Sequence, residues 1–266
     1  MQTYNYNAGS VPVLMSIPHL SKAIPEQIAS QMTDAGRQAV DTDWDLDRLY
    51  DFAAELGLHA ITPMFSRNVI DLNRAPDGVS LYAGVSNTEL VPTSTFHDQD
   101  IYLNGRAPGD SEIEQRKKLY WEPYHACIRQ TLDDIKEQFG QALLFDCHSI
   151  RSEVPRFFQG KLPEFNLGTA DGKSCSIGLR SVLAATLENH NEYTLAVDGR
   201  FKGGYITRQY GDPDNGIHTF QMELSQATYA DPESPYKYSE SLAERVRPAL
   251  REMLEAARHW ISHIAE

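Results

Sequence analysis

A chain of 266 residues with 41% hydrophobic content can bury one substantial core, and a single domain over residues 1–266 is expected. Its formal charge of −13 repels phosphate backbones and no basic stripe interrupts it, which excludes nucleic acid and anionic membrane as expected partners. No apolar run approaches the ~18 residues of a membrane span, and the opening MQTYNYNAGS lacks the regions of a signal peptide, so a soluble, cytoplasmic protein is expected.

The first apolar run, Val11 to Ile17, reads as a buried strand, with His19 just past its end in MSIPH. The acidic segment DTDWDLDRLY follows and offers Asp41, Asp43, Asp45 and Asp47; capping-type residues there predict a helix from Asp43 to Leu56. Leu58 to Pro63 is the second expected strand, after which SRNVIDLNRAPDG supplies Arg67, Asn73 and Arg74. The turn-rich stretch Arg74 to Gly109 is read as a long loop, and Ser111 to Phe139 as a long helix bending at Pro123. Ala142 to Cys147 is the third strand, and His148 stands at its end in LLFDCHS. Pro155 to Gly172 is a second turn-rich segment, Ser174 to Asn189 a helix, and Tyr193 to Val197 a strand. The segment FKGGYITRQYG carries Arg208 behind Gly203 and Gly204, two residues that permit close backbone approach. Ile217 to Glu223 is the last expected strand. A final helix runs from about Ser239 to the end, with Leu242, Val246, Leu250, Leu254, Ala257 and Ile261 on one face. Strands alternating with helices make this an α/β protein, in which long loops line or cover a site.

Two histidines at strand ends can converge on one crevice, because ligands of open α/β sheets gather beyond the carboxyl ends of the strands. With one carboxylate they match a catalytic zinc set that leaves a coordination position open. A histidine alone at a strand end is more often a hydrogen-bonded structural residue, and the four aspartates read as helix capping and a solvated face. Asp43, at the mouth of the predicted helix, is the chosen third ligand. The terminal HWISHIAE places His259, His263 and Glu266 at metal-like spacing, but imidazoles in a last helical turn answer to the helix dipole, and a metal role there is rejected. Arg67, Arg74 and Arg208 can hold a small dicarboxylate in a chain that is acidic elsewhere, or form surface salt bridges. Glu223 in an apolar alternating run is either a working base or half of a buried ion pair. Cys127, Cys147 and Cys175 form no CxxC pair and are expected to be small buried residues rather than a disulfide or a cysteine metal site.

The ordered segments PHLSKAIP, TDWDLDRLYDFA, SRNVIDLNRAPDG, DCHSI, FKGGYITRQYG and FQMELSQATY resemble the N-formylglutamate amidohydrolase family across nearly the whole chain. That resemblance implies hydrolysis of N-formyl-L-glutamate to glutamate and formate, the closing step of one histidine-degradation route. The order of His, carboxylate, Asn-Arg, His and Glu is also similar to the zinc carboxypeptidase and aspartoacylase group. It implies a zinc-carboxypeptidase-like fold, a mixed, mostly parallel β-sheet flanked by helices. By the same resemblance His19, Asp43 and His148 are metal ligands for Zn²⁺ or another divalent ion, Asn73 and Arg74 contact substrate, and Glu223 is catalytic. Two departures stand out: Lys22 occupies the glutamate position of the wider group's HxxE, and Asp45 stands where the nearer family tends to carry histidine. Two rivals are a deacylase or carboxypeptidase for another N-acyl amino acid, and a non-catalytic carboxylate-binding protein. Oligomeric state is left open.

Overall fold

The structure, a computed structural model, describes residues 2–79, 88–231 and 237–263. Its strands are β1 (Tyr4–Asn7), β2 (Val13–Ser16), β3 (His59–Pro63), β4 (Ala142–Ile150), β5 (Phe165–Gly168), β6 (Leu195–Val197) and β7 (Ile217–Ser225). Among the described residues they form one seven-stranded sheet in the order β1-β3-β2-β4-β7-β5-β6. The pairs β2–β3, β2–β4, β4–β7 and β5–β6 are parallel, whereas β1 and β5 pair antiparallel with β3 and β7. The helices are α1 (Glu26–Ala29), α2 (Asp34–Gln38), α3 (Leu46–Leu49), α4 (Asp110–Arg116), α5 (Glu122–Phe139), α6 (Ile177–Glu188), α7 (Tyr205–Tyr210) and α8 (Glu240–His263). No described helix is long and apolar enough to cross a membrane.

Side chains of a strand alternate between the two faces of the sheet, and here the faces differ in chemistry. One face is mainly apolar: Val13, Met15, Leu143, Phe145, Cys147, Phe220, Met222 and Leu224 pack in one core with α3, α6 and α8, with Ser149 and His218 the buried polar residues among them. The other face begins apolar, with Leu14, Leu144 and Ile217 against α5 and α7, and turns polar toward the strand ends. There Ser16, Asp146, His148, Gln221 and Glu223 are all buried. Connections leave β2 toward β3 on one side and β4 lies on the other, so the carboxyl ends of β2 and β4 flank a topological switch point. The polar ends of the strands therefore open into the crevice such a sheet provides.

Several elements depart from the sequence reading. The predicted helix from Asp43 to Leu56 is only α3 and a 3₁₀ turn at Asp51–Ala53, because Asp45 begins it at φ 53° and Tyr50 interrupts it at φ −100°. Burial of Leu46, Leu49, Tyr50, Phe52 and Leu56 in the core outweighs helical continuity there. The Ser111–Phe139 segment is helical as α4, a π-helical turn over Lys117–Trp121 and α5, with Pro123 in the first turn of α5; a proline without an N–H favours such a bulge. Strand β5 lies inside the Pro155–Gly172 segment read as turns: four residues ending in glycine give too short a pattern to recognise. Strand β1 and the short helices α1, α2 and α7 were likewise unforeseen. Cys147 and Cys175 are buried and Cys127 half-buried, while Glu266 of the terminal motif lies outside the described residues. In that motif His263 Nδ1 bonds the His259 carbonyl at 2.7 Å, an intrahelical contact.

Candidate active site

His19 follows β2, and its carbonyl oxygen accepts the Asp43 N–H at 3.0 Å, which fixes the acidic segment beside the histidine. Asp43 Oδ2 then lies 3.0 Å from His148 Nδ1 and 3.6 Å from His19 Nδ1, and accepts the Ser149 N–H at 3.2 Å. His19, Asp43 and His148 are all buried, the two rings stand 4.9 Å apart, and one potential ligand atom from each lies within 4.8 Å of the others. The other aspartates of the segment do different work. Asp41 accepts the Phe96 N–H at 2.9 Å, Asp45 takes the N-cap position of α3 without a side-chain cap bond, and Asp47 is exposed. Lys22 is exposed and stacks on Trp44 at 3.8 Å, away from the histidines.

Each imidazole is backed by a second carboxylate. His19 Nε2 donates to Asp71 Oδ1 at 2.7 Å, and Asp71 also accepts Arg67 Nη2 at 2.5 Å and the Asn73 N–H at 2.9 Å. A proton held on Nε2 leaves His19 Nδ1 free to face Asp43. His148 Nε2 is 3.0 Å from Asp146 Oδ1, outside hydrogen-bond geometry, and this buried oxygen has no hydrogen-bond partner among the described residues. His148 Nε2 instead accepts from Asn73 Nδ2 at 2.8 Å, while its Nδ1 faces Asp43 at the shared point. Such carboxylate-backed histidines are the usual outer shell of a metal site. Asp71 and Asp146 were not singled out in the sequence; an aspartate inside the apolar run LLFDCH was the available signal.

The electrostatics agree. Burial acts to raise the Asp43 carboxyl, but the His19 and His148 imidazoles outweigh it and hold it at about 2. Burial likewise opposes ionisation of Asp71, yet Arg67, Arg74 and His19 keep it well below the usual carboxylate range. Burial would lower His148, but Asp146 and Asp43 lift it well above an ordinary imidazole. This cluster of buried acids draws positive charge to the point between the two histidines. The donor set of two imidazoles and a carboxylate therefore fits a divalent cation.

The parallel register pairs His148 with Glu223, so the glutamate stands next to the histidine on the same face. Burial pushes Glu223 up to about 8, and its Oε2 accepts only Gln221 Nε2, at 3.3 Å, among the described residues. Asn73 is held from two sides: Oδ1 accepts the Ile206 N–H at 2.8 Å, and Nδ2 lies 2.8 Å from His148 Nε2. A Cβ on Gly204 would meet Asn73 Nδ2 at 2.3 Å, so the glycine is what lets α7 approach. From behind, Trp121 Nε1 donates to the Arg74 carbonyl at 3.0 Å, and His125 Nε2 to that of Leu72 at 2.9 Å.

One cavity joins these groups. It is lined by His19, Asp43, His148 and Glu223, by Asn73, Gly204 and Gln221, and by the arginines Arg67, Arg74 and Arg200. Phe96 and Phe157, from the two segments read as loops, also line it and pack edge to face at 4.9 Å. Arg208 corrects the sequence reading, since it does not line this cavity. Arg208 lies on α7, whose Ile206, Thr207 and Tyr210 are buried; it is half-buried and its Nε donates to the Gly203 carbonyl at 2.9 Å. Arg200, which was not singled out in the sequence, lines the cavity instead.

Comparison with known proteins gives consistent results. Residues 11–230 match the family model of N-formylglutamate amidohydrolase. N-formylglutamate deformylase of Pseudomonas putida is 41% identical over 256 residues, 96% of either chain. That of Pseudomonas aeruginosa is 41% identical over 259 residues, 97% of either chain. Among solved structures, an N-formylglutamate amidohydrolase from Ralstonia eutropha JMP134 superposes with a TM-score of 0.80 at 22% identity, covering 97% of this chain and 98% of that one. A gene product of Agrobacterium tumefaciens does so at 0.67 and 15% identity, covering 96% of each chain. At those identities the structural matches speak for the fold.

Proposed function

Because this chain belongs to the N-formylglutamate amidohydrolase family, we propose that it hydrolyses N-formyl-L-glutamate to L-glutamate and formate, as part of histidine degradation. The observation that carries the reading is the meeting, in one cavity, of the buried His19–Asp43–His148 set with Glu223 and a group of arginines. His19, Asp43 and His148 would hold the metal, with zinc the first choice and iron, manganese or cobalt compatible with the same ligands. When bound, such an ion polarises the formyl carbonyl and makes water acidic enough to attack near neutral pH.

The chain's own groups do the rest. Glu223, beside His148, takes a proton from the attacking water as its oxygen bonds to the formyl carbon, then passes the proton to the amide nitrogen as the C–N bond breaks. Arg67, whose cation acts on both Asp43 and Glu223, is placed to offset negative charge developing on the carbonyl oxygen. Asn73, fixed by Ile206 and Gly204, lines the cavity beside His148, and Arg74 adds positive charge to the same cavity. The Phe96–Phe157 pair forms an apolar wall of the cavity.

A panel of N-formyl, N-acetyl and N-succinyl amino acids tests this reading. N-formyl-L-glutamate is expected to give the highest kcat/KM, with N-acetyl-L-glutamate lower by about 10- to 200-fold, the usual penalty for one added methyl in a shaped apolar pocket. A preference for the acetyl or succinyl compound would instead make the protein a deacylase of another N-acyl amino acid.

A further inference from the structure

The three arginines of the cavity differ in what their guanidinium groups have left to give. Arg67 spends Nη2 on Asp71, and its Nη1 reaches the Asp41 carbonyl at 3.5 Å. Arg74 is committed more fully: Nε and Nη2 donate to Thr88 at 3.1 and 2.8 Å, and Nη1 to the Asn73 carbonyl at 2.9 Å. Arg200 is different. Its Nε donates to the Phe157 carbonyl at 2.9 Å and its guanidinium carbon lies 5.4 Å from the Phe201 ring centre, which fixes the plane of the group. Its two Nη atoms have no hydrogen-bond or ion-pair partner among the described residues, although the side chain lines the cavity.

The turn that carries Arg200 is rigid. Asp198, at φ 51°, accepts the Thr169 N–H, the Thr169 hydroxyl and Arg180 Nε at 2.6, 2.6 and 3.1 Å, and its own N–H donates to the Leu167 carbonyl at 2.8 Å. A planar fork of donors held at one edge, with its outer pair unspent, matches a carboxylate in bidentate geometry. Position decides which carboxylate. The scissile amide must lie at the His19–Asp43–His148 end, where the α-carboxylate is one bond from the carbon bearing the nitrogen and falls within the Arg67–Arg74 group. Arg200 follows β6, the edge strand of the sheet, two strands beyond β7 with Glu223, three beyond β4 with His148 and four beyond β2, which leads to His19. Arg200 therefore marks the opposite end of the cavity, beside Phe157 and Phe201.

We propose that Arg200 is the specificity-determining residue for the side chain of the substrate, its Nη pair binding the distal carboxylate of the glutamyl group. This rests on the proposed hydrolysis of N-formylglutamate and goes beyond it. The test compares N-formyl-L-glutamate with N-formyl-L-glutamine, which has the same shape and α-carboxylate but a neutral side-chain end, in wild type and Arg200→Met. Wild type is expected to favour the glutamate compound by about a hundredfold or more in kcat/KM, the yield of a charge-assisted bidentate contact. In Arg200→Met that preference should collapse to within about tenfold, through loss on the glutamate compound alone. Arg200→Lys, which keeps the charge and loses the fork, should fall between them.

Equal losses on both compounds in Arg200→Met would overturn the proposal, since they would place Arg200 on the shared α-carboxylate or in a structural role. An unchanged preference would overturn it as well. Calorimetry with L-glutamate and L-glutamine gives the same comparison without turnover, and Arg200→Met should lose affinity for glutamate only. A wild type that binds glutamate over glutamine through Arg200 yet hydrolyses neither formyl compound would refute the proposed reaction while upholding this inference.

Discussion

Glu223→Gln is expected to lower kcat for N-formyl-L-glutamate by about 10²- to 10⁴-fold, the range carried by a positioned general acid–base, while leaving metal content unchanged. The separation of the two readouts follows from the fold. Glu223 is on β7, whereas the set that would hold the ion comes from β4, the turn after β2 and the acidic segment before α3. Its neighbour Gln221 donates to a carboxamide oxygen as well as to a carboxylate, so the substituted side chain keeps the local contact. The same substitution has a pH signature in metal-stripped protein. Burial pushes Glu223 up to about 8, above its ordinary value of 4.5. A raised folded-state pKa gives stability that is fully present below the unfolded value and is lost as pH rises through the folded one. Thermal melts of stripped wild type should therefore lose ground against stripped Glu223→Gln between about pH 4.5 and pH 8. A gap constant with pH would contradict the burial argument, and wild-type kcat in the variant would remove Glu223 from the reaction.

Asp71→Asn carries the second large effect, and it acts on folding as well as on the site. Asp71 is fully buried and serves His19, Arg67 and the Asn73 N–H together, with Arg74 Nη1 at 3.8 Å. Neutralising it leaves the buried Arg67 guanidinium without its counter-charge, a change that costs on the order of 3–5 kcal/mol. It also weakens the acceptor that holds the proton on His19 Nε2, and removal of such an outer-shell partner lowers metal affinity by about 10- to 100-fold. Denaturant melts and competition with a chromogenic chelator measure the two effects separately. A variant as stable as wild type with undiminished metal affinity would show that Asp71 does not organise the centre.

How much of this was legible in the sequence depended on the length of the pattern and on where the cause lay. Strands β2, β3, β4, β6 and β7 were readable because each lies in an apolar run bounded by turn residues; β2, β4 and β7 are fully buried, the burial that leaves such a trace, and β3 and β6 are partly so. β5 was not, since its four residues gain their identity from pairing with β7, whose partner register lies more than 50 residues away. The two strand-end histidines and Glu223 could be named because chemistry at an apolar boundary is visible locally. Their adjacency could not, because it is set by the β4–β7 register. The arginines show the limit best: Arg67, Arg74 and Arg208 were equivalent as residue types. Only the folded chain separates them: Arg67 and Arg74 line the cavity and Arg208, on α7, does not, while the turn built on Asp198 brings Arg200 in.

The central claim is that one metal ion held by His19, Asp43 and His148 is required for deformylation. It is tested most directly by stripping the protein with a chelator and titrating zinc back while following formate release from N-formyl-L-glutamate. The stripped protein should show no turnover, and activity should rise linearly to a break at one equivalent per chain, with no recovery in Asp43→Ala. Full turnover by protein shown to contain no metal would contradict it.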